Sequence, residues 1–132
     1  MNIAVAYRFT GENLLELEPI LGSVCQSLRD CGHTVFCSLE HETEFRKQGY
    51  SADQIYAFCR AQFKTRDAML VFLRSSSPSK GIELELDDAT AANKTVYVVT
   101  PRNVTLYRDR ATHVIEYELL EDLCDSLRTR LL

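Results

Sequence analysis

The fold class this sequence predicts is an α/β three-layer sandwich of the flavodoxin-like kind, built on a five-stranded parallel sheet in the order 2-1-3-4-5. Three observations lead there. Short apolar runs recur down the chain, and segments with helical spacing alternate with them. Strand–helix alternation implies parallel strands joined by right-handed crossovers. The run Ala68-Met69-Leu70-Val71-Phe72-Leu73 is apolar throughout, as a central strand covered on both faces requires.

The elements follow in order. Residues 2–7 are a first strand. Over residues 12–29, Leu14, Leu17, Leu21, Val24 and Leu28 fall on one helical face, and Gly32 supplies the stop. Residues 34–38 are β-branched and aromatic, a second strand. Residues 39–50 are polar and acidic and read as a loop. Ser51 with Gln54 is a capping box for a helix whose apolar face carries Ile55, Phe58, Cys59 and Phe63. Strand three occupies 68–73. After the loop Ser75-Ser76-Ser77-Pro78, residues 81–93 form a helix ending in the small residues Ala89, Ala91 and Ala92. Residues 95–99 are the fourth strand, residues 100–112 a connection without a clear helix, and residues 113–117 the fifth strand. Residues 118–130 close the chain as an amphipathic helix.

In this strand order the ligand crevice lies beyond the ends of strands one and three. The loops Tyr7–Glu12 and Arg74–Gly81 meet there, with Thr100–Asn103 nearby. The 132 residues suit one domain, 1–132. Hydrophobic residues at 45% and charged residues at 26% are an ordinary globular mix. The net charge of -4 and the lack of a basic run argue against a nucleic-acid polymer as partner. No apolar run reaches the roughly 18 residues of a membrane span, and the N-terminus reads as a strand rather than a signal peptide. Five cysteines, an odd number without a C-x-x-C pair, predict reduced thiols in a cytoplasmic protein. Neither they nor His33, His41 and His113 have metal-ligand spacing, so no metal is expected.

The glycine-rich phosphate cradles are absent: Gly11 is the lone glycine of the first strand-to-helix turn. A phosphoreceiver needs acids at the ends of strands one and three. Tyr7-Arg8 and Leu73-Arg74 stand there instead. The stretch that carries chemistry is Ser79-Lys80-Gly81-Ile82-Glu83-Leu84-Glu85-Leu86-Asp87-Asp88-Ala89. Ser79 and Gly81 turn the chain out of a buried strand, and carboxylates follow on the next helix. Four acids in six residues raise one another's pKa values.

From residue 66 to residue 100 the chain resembles the nucleoside 2-deoxyribosyltransferase family, and especially its 2'-deoxynucleoside 5'-phosphate N-hydrolase branch. The matching features are the strand entry Arg66-Asp67-Ala68, the Ser79-x-Gly81 turn, Glu85-Leu86 with Ala89, and Lys94 before the strand Val96–Val99. His41 after Glu40 is similar to a Glu-His of the hydrolase branch. The resemblance implies cleavage or transfer at the N-glycosidic bond of a nucleoside or nucleoside 5'-monophosphate, with Glu85 the nucleophile and no cofactor. A carboxylate suits this: it stabilises an oxocarbenium-like transition state and then forms a glycosyl ester. Ser79 and the amides of Gly81 and Ile82 could hold a 5'-phosphate. Arg8, Thr10 and Gly11 would contribute from the first loop, Tyr7 or Phe9 would stack on the base, and His41 would complete the substrate contacts. The family also has an Asp on the helix before strand three. The matching place here is Cys59 or Arg60, with Asp53 upstream. A homodimer or higher assembly is implied, with Asn103–Arg110 reaching a neighbour's site. The alternative is a nucleotide-sensing or interaction module with little catalysis. A third possibility is an NAD-cleaving domain, which shares the sheet and a catalytic Glu.

Overall fold

The computed structural model describes residues 1–131. Its five strands are all parallel and lie in the order β2-β1-β3-β4-β5. They are β1 (Asn2–Tyr7), β2 (Thr34–Cys37), β3 (Ala68–Phe72), β4 (Thr95–Pro101) and β5 (His113–Tyr117). The helices are α1 (Leu14–Asp30), α2 (Glu42–Gln48), α3 (Ala52–Lys64), α4 (Lys80–Ala91) and α5 (Leu120–Arg130). The three-layer α/β class and the strand order are those the sequence predicts.

Period two along the strands assigns the faces. Ile3, Val5, Leu70, Phe72, Val99 and Ile115 point to one side and pack against Leu17, Leu21, Val24 and Leu28 of α1 and Leu123 and Leu127 of α5. Ala6, Met69, Val71, Val96 and Val98 point to the other, against Ile82, Leu86 and Ala89 of α4, with Phe63 of α3 packed alongside. Each fully buried Leu or Ile adds about 2 kcal/mol of transfer free energy.

Local signals set the helix starts. The Asn13 side chain accepts from the Leu15 amide at 3.0 Å and starts α1. The capping box before α3 is complete: Ser51 Oγ accepts from the Gln54 amide at 3.2 Å, and Gln54 Oε1 accepts from the Ser51 amide at 2.8 Å. Ser79 caps α4 in the same way, accepting from the Ile82 amide at 3.3 Å.

The expected loop over residues 39–50 is corrected. Ser38–His41 is a 3-10 turn, and α2 follows it. Only Phe45 is buried on α2, too sparse an apolar signal for periodicity to register. Acids at its start, Arg46 and Lys47 at its end, and Gly49 with φ 66° at its C-cap complete the helix. Strand β4 also runs on to Pro101, and the connection beyond it contains a short 3-10 turn at Arg108–Arg110.

Candidate active site

A cavity of about 590 Å3 opens at the carboxyl end of β1, between the first loop, α3 and the start of α4. It is the crevice expected of this strand order. Of the residues singled out from the sequence, Tyr7, Phe9, Thr10, Ser79, Gly81 and Glu85 line it.

Glu85 occupies the second turn of α4 and is half-buried. Among the described residues no donor hydrogen-bonds its carboxylate. Burial, and then the negative charge of Asp88, push its pKa up to about 8. The other three acids of the stretch have partners. Glu83 accepts a hydrogen bond from the Tyr107 hydroxyl at 2.8 Å. Asp87 pairs with Arg110 at 2.9 Å. Asp88 takes a bidentate bond from Arg60, at 2.9 Å from Nε and 2.8 Å from Nη2. The patch that reads as four crowded charges is therefore three satisfied acids and one that faces the cavity alone.

The start of α4 is held from outside. The Tyr107 hydroxyl accepts from the Ser79 amide at 2.9 Å while it donates to Glu83. Tyr107 itself sits at φ 61°, a left-handed conformation that costs a non-glycine residue of order 1 kcal/mol. The connection Asn103–Arg110, which the resemblance would send to a neighbouring subunit, thus folds onto α4 of its own chain, with Val104 and Tyr107 buried. The Ile82 amide, one of the two expected to receive a phosphate, is spent on Ser79 Oγ. At Gly81 a side chain would meet only Ser79 Oγ at 3.8 Å, so packing does not demand a glycine there.

Arg8, Gly11 and His41 do not line the cavity. Arg8 pairs with Glu12 at 3.5 Å, and Arg74 crosses from the other loop to Glu12 at 3.3 Å and Glu16 at 3.1 Å. Gly11 has φ 81°, and a side chain there would come within 3.0 Å of the Arg8 guanidinium. His41 packs among Phe36, Phe45 and Phe58, with ring centroids 5.2 to 6.2 Å away.

The cavity also gathers Cys59 and Asp53, named above against the family's Asp, together with Tyr56, Ser38 and Glu42, which sequence reasoning passes over. Asp53, Tyr56 and Cys59 line it from α3, and Ser38 and Glu42 from the segment after β2. Ser38 Oγ and the Tyr7 hydroxyl share a hydrogen bond of 2.7 Å, and burial raises the Tyr7 pKa. The Cys59 thiol is pushed up to about 11 by burial and by Glu85. Cys59 was visible on the apolar face of α3, and Asp53 stands two residues after the capping serine. What the sequence does not give is that both line one cavity with Glu85. Among the described residues that line the cavity, none is Lys, Arg or His. Nor do the described residues contain a group of three or more His, Cys, Asp or Glu able to hold a metal ion.

Solved structures share this fold, among them the following. A 2-deoxyribosyltransferase from the psychrotolerant bacterium Bacillus psychrosaccharolyticus aligns with a TM-score of 0.69 at 22% identity, over 95% of this chain and 91% of that one. The CMP N-glycosidase BcmB of Clostridium botulinum aligns with a TM-score of 0.72 at 15% identity, over 98% and 99%. A conserved protein from Enterococcus faecalis V583 gives 0.64 at 13%, over 98% of each chain. No known family and no curated protein matches the sequence itself. Likeness at these identities is likeness of fold.

Proposed function

We propose that this chain, as one domain of the nucleoside 2-deoxyribosyltransferase type, cleaves or transfers at the N-glycosidic bond of a nucleoside, with Glu85 as nucleophile. One observation carries the reading. Of the four acids at the start of α4, Glu85 alone lacks a partner, and it faces a cavity at the ligand-binding end of the sheet. That a 2-deoxyribosyltransferase and a CMP N-glycosidase share the fold supports it.

In this mechanism the ionised Glu85 attacks the anomeric carbon of the sugar. The carbon–nitrogen bond breaks, and the base leaves with its electron pair and takes up a proton. In this reading Asp53, which lines the same cavity from α3, relays that proton. Water, or the nitrogen of a second base, then displaces the glutamate from the sugar and restores it. Tyr56 and Phe9 offer rings for the base to stack on. The absence of a lining cation among the described residues, and the engagement of Arg8 and Arg74 with Glu12, favour a nucleoside over its 5'-monophosphate. Reduced thiols, a cytoplasmic setting and a homo-oligomer accompany this proposal.

The test is release of free base from a panel of nucleosides, 2'-deoxynucleosides, their 5'-monophosphates and NAD, with and without a second base as acceptor. Release from nucleosides that Glu85→Gln abolishes is the expected result. The rate should climb with pH to about 8, because the nucleophile must first lose its proton. No release from any substrate, with ligand-induced thermal stabilisation intact, would instead identify a binding module.

A further inference from the structure

Behind Glu85 lies a second, smaller cavity of about 270 Å3, between α3 and α4. Ala4 and Met69 of the sheet floor it, and the small residues Ala89, Ala91 and Ala92 leave it open on the α4 side. Glu85 borders both cavities. The smaller one brings three cations, Arg60, Lys64 and Lys94, to the neighbourhood of this unpaired carboxylate.

Two of those cations are held by other acceptors. Lys94 Nζ donates to the carbonyls of Phe63 at 2.6 Å and Lys64 at 2.9 Å, closing the end of α3. Arg60 is gripped by Asp88 through two bonds at once. Asp88 stands three residues after Glu85, so the two acids share a helix face. Arg60 follows Cys59, which lines the larger cavity with Glu85. The Arg60–Asp88 pair therefore crosses from α3 to α4 directly beside the nucleophile. Both partners are partly exposed, where an ion pair adds little stability.

We propose that Arg60 and Asp88 are positioning residues for Glu85. The pair straps α3 to α4 and keeps the Arg60 guanidinium off the Glu85 carboxylate, leaving that carboxylate unpaired in the cavity. This assignment rests on the reading of Glu85 as the nucleophile. It makes the two partners opposite in effect. Without Arg60, Asp88 becomes an uncompensated anion one turn from Glu85, and Glu85 holds its proton more tightly. Without the Asp88 charge, Arg60 is free to pair with Glu85, and the proton is lost more readily. The other titratable or charged groups near Glu85 are Tyr7, Glu42, Asp53, Tyr56, Cys59, Lys64 and Lys94; Arg60 also sits over the Tyr56 ring, 5.7 Å from its centroid, and the Asp88 charge also acts on Lys94.

The experiment is a carbon-detected NMR titration of glutamate side chains, with the Glu85 signal identified by its loss in Glu85→Gln. The proteins compared are the wild type, Arg60→Gln, Asp88→Asn and Arg60→Lys. The expected midpoint of Glu85 moves up by roughly one pH unit in Arg60→Gln and down by a similar amount in Asp88→Asn. Arg60→Lys keeps the charge without the two-pronged grip, and should bring the midpoint back towards that of the wild type. Midpoints that stay in place, or that move the same way in Arg60→Gln and Asp88→Asn, overturn the proposal and leave the pair a plain strap. If one of these variants does not fold, Arg60→Lys compared with the remaining one decides between the same outcomes. The acid limb of base release, measured in parallel, tests the other reading. An NMR midpoint that moves while the limb stays still means that Glu85 is positioned as described but is not the nucleophile.

Discussion

Strand β1 reads Ile3-Ala4-Val5-Ala6, and the two faces of the sheet differ as those residues differ. On the α1/α5 side, Ile3 and Val5 meet leucines from both helices, and the clefts on that side are lined by helix and turn residues without reaching a strand. On the α3/α4 side, Ala4 floors the small cavity and Ala6 the large one. The same backbone with the same hydrogen bonds thus supports a packed core on one face and a site on the other. Side-chain volume makes the difference: an alanine beneath two helices leaves space that a leucine would fill. The packed face provides the stability against which a half-buried, unpartnered carboxylate can be tolerated on the other.

Several substitutions test that contrast. The largest expected effect is on chemistry. Glu85→Gln should lower base release by on the order of 10^3-fold or more without lowering the melting temperature, since it removes a buried ionisable group that has no partner. Next comes packing. Leu70→Ala, on the closed face, should cost about 3 kcal/mol in urea unfolding. Ala6→Val, into the open face, should cost under about 1 kcal/mol while weakening ligand binding. Equal costs for the two would break the comparison between faces.

A smaller effect concerns pH. The folded-state pKa of Glu85, about 8, lies above its ordinary value of 4.5. The folded protein therefore binds the proton more tightly than the unfolded chain, and this group's contribution to stability is greatest below about pH 4.5. It falls as pH rises towards about 8 and is level above. With discount for solvent screening, the loss is about 2 kcal/mol. The difference in unfolding free energy between wild type and Glu85→Gln, measured from pH 4 to pH 9, should trace that slope. The smallest effect is expected at the clamp. Tyr107→Phe removes the bonds to Ser79 and Glu83 and should cost about 1 kcal/mol, read as a lower melting temperature.

Much of this architecture was legible in the residues. The strands stand out because each is a short run rich in apolar or β-branched residues, and β5 has the expected bounds, residues 113 and 117, although Glu116 interrupts it. The start of α3 was legible because a capping box is a local device, complete within four residues. Helix α2 was not, because its one buried side chain, Phe45, packs against Tyr50 and Phe58 rather than repeating along the helix. Among site residues, Tyr7, Phe9, Thr10, Ser79 and Gly81 could be grouped from strand order, since topology brings their loops together, and Glu85 came from the family resemblance. Asp53 could not, because its arrival at the cavity depends on how α3 lies across the sheet.

By itself the sequence determined the layers and the order of the strands, because those follow from local periodicity and the handedness of crossovers. It also placed a carboxylate just after the turn at Ser79 and Gly81. Which of the four acids stands free was decided only in three dimensions. Tyr107, Arg110 and Arg60 lie 20 or more residues away along the chain from the acids they satisfy. Charge compensation acts through space, and no local pattern announces which partner will arrive.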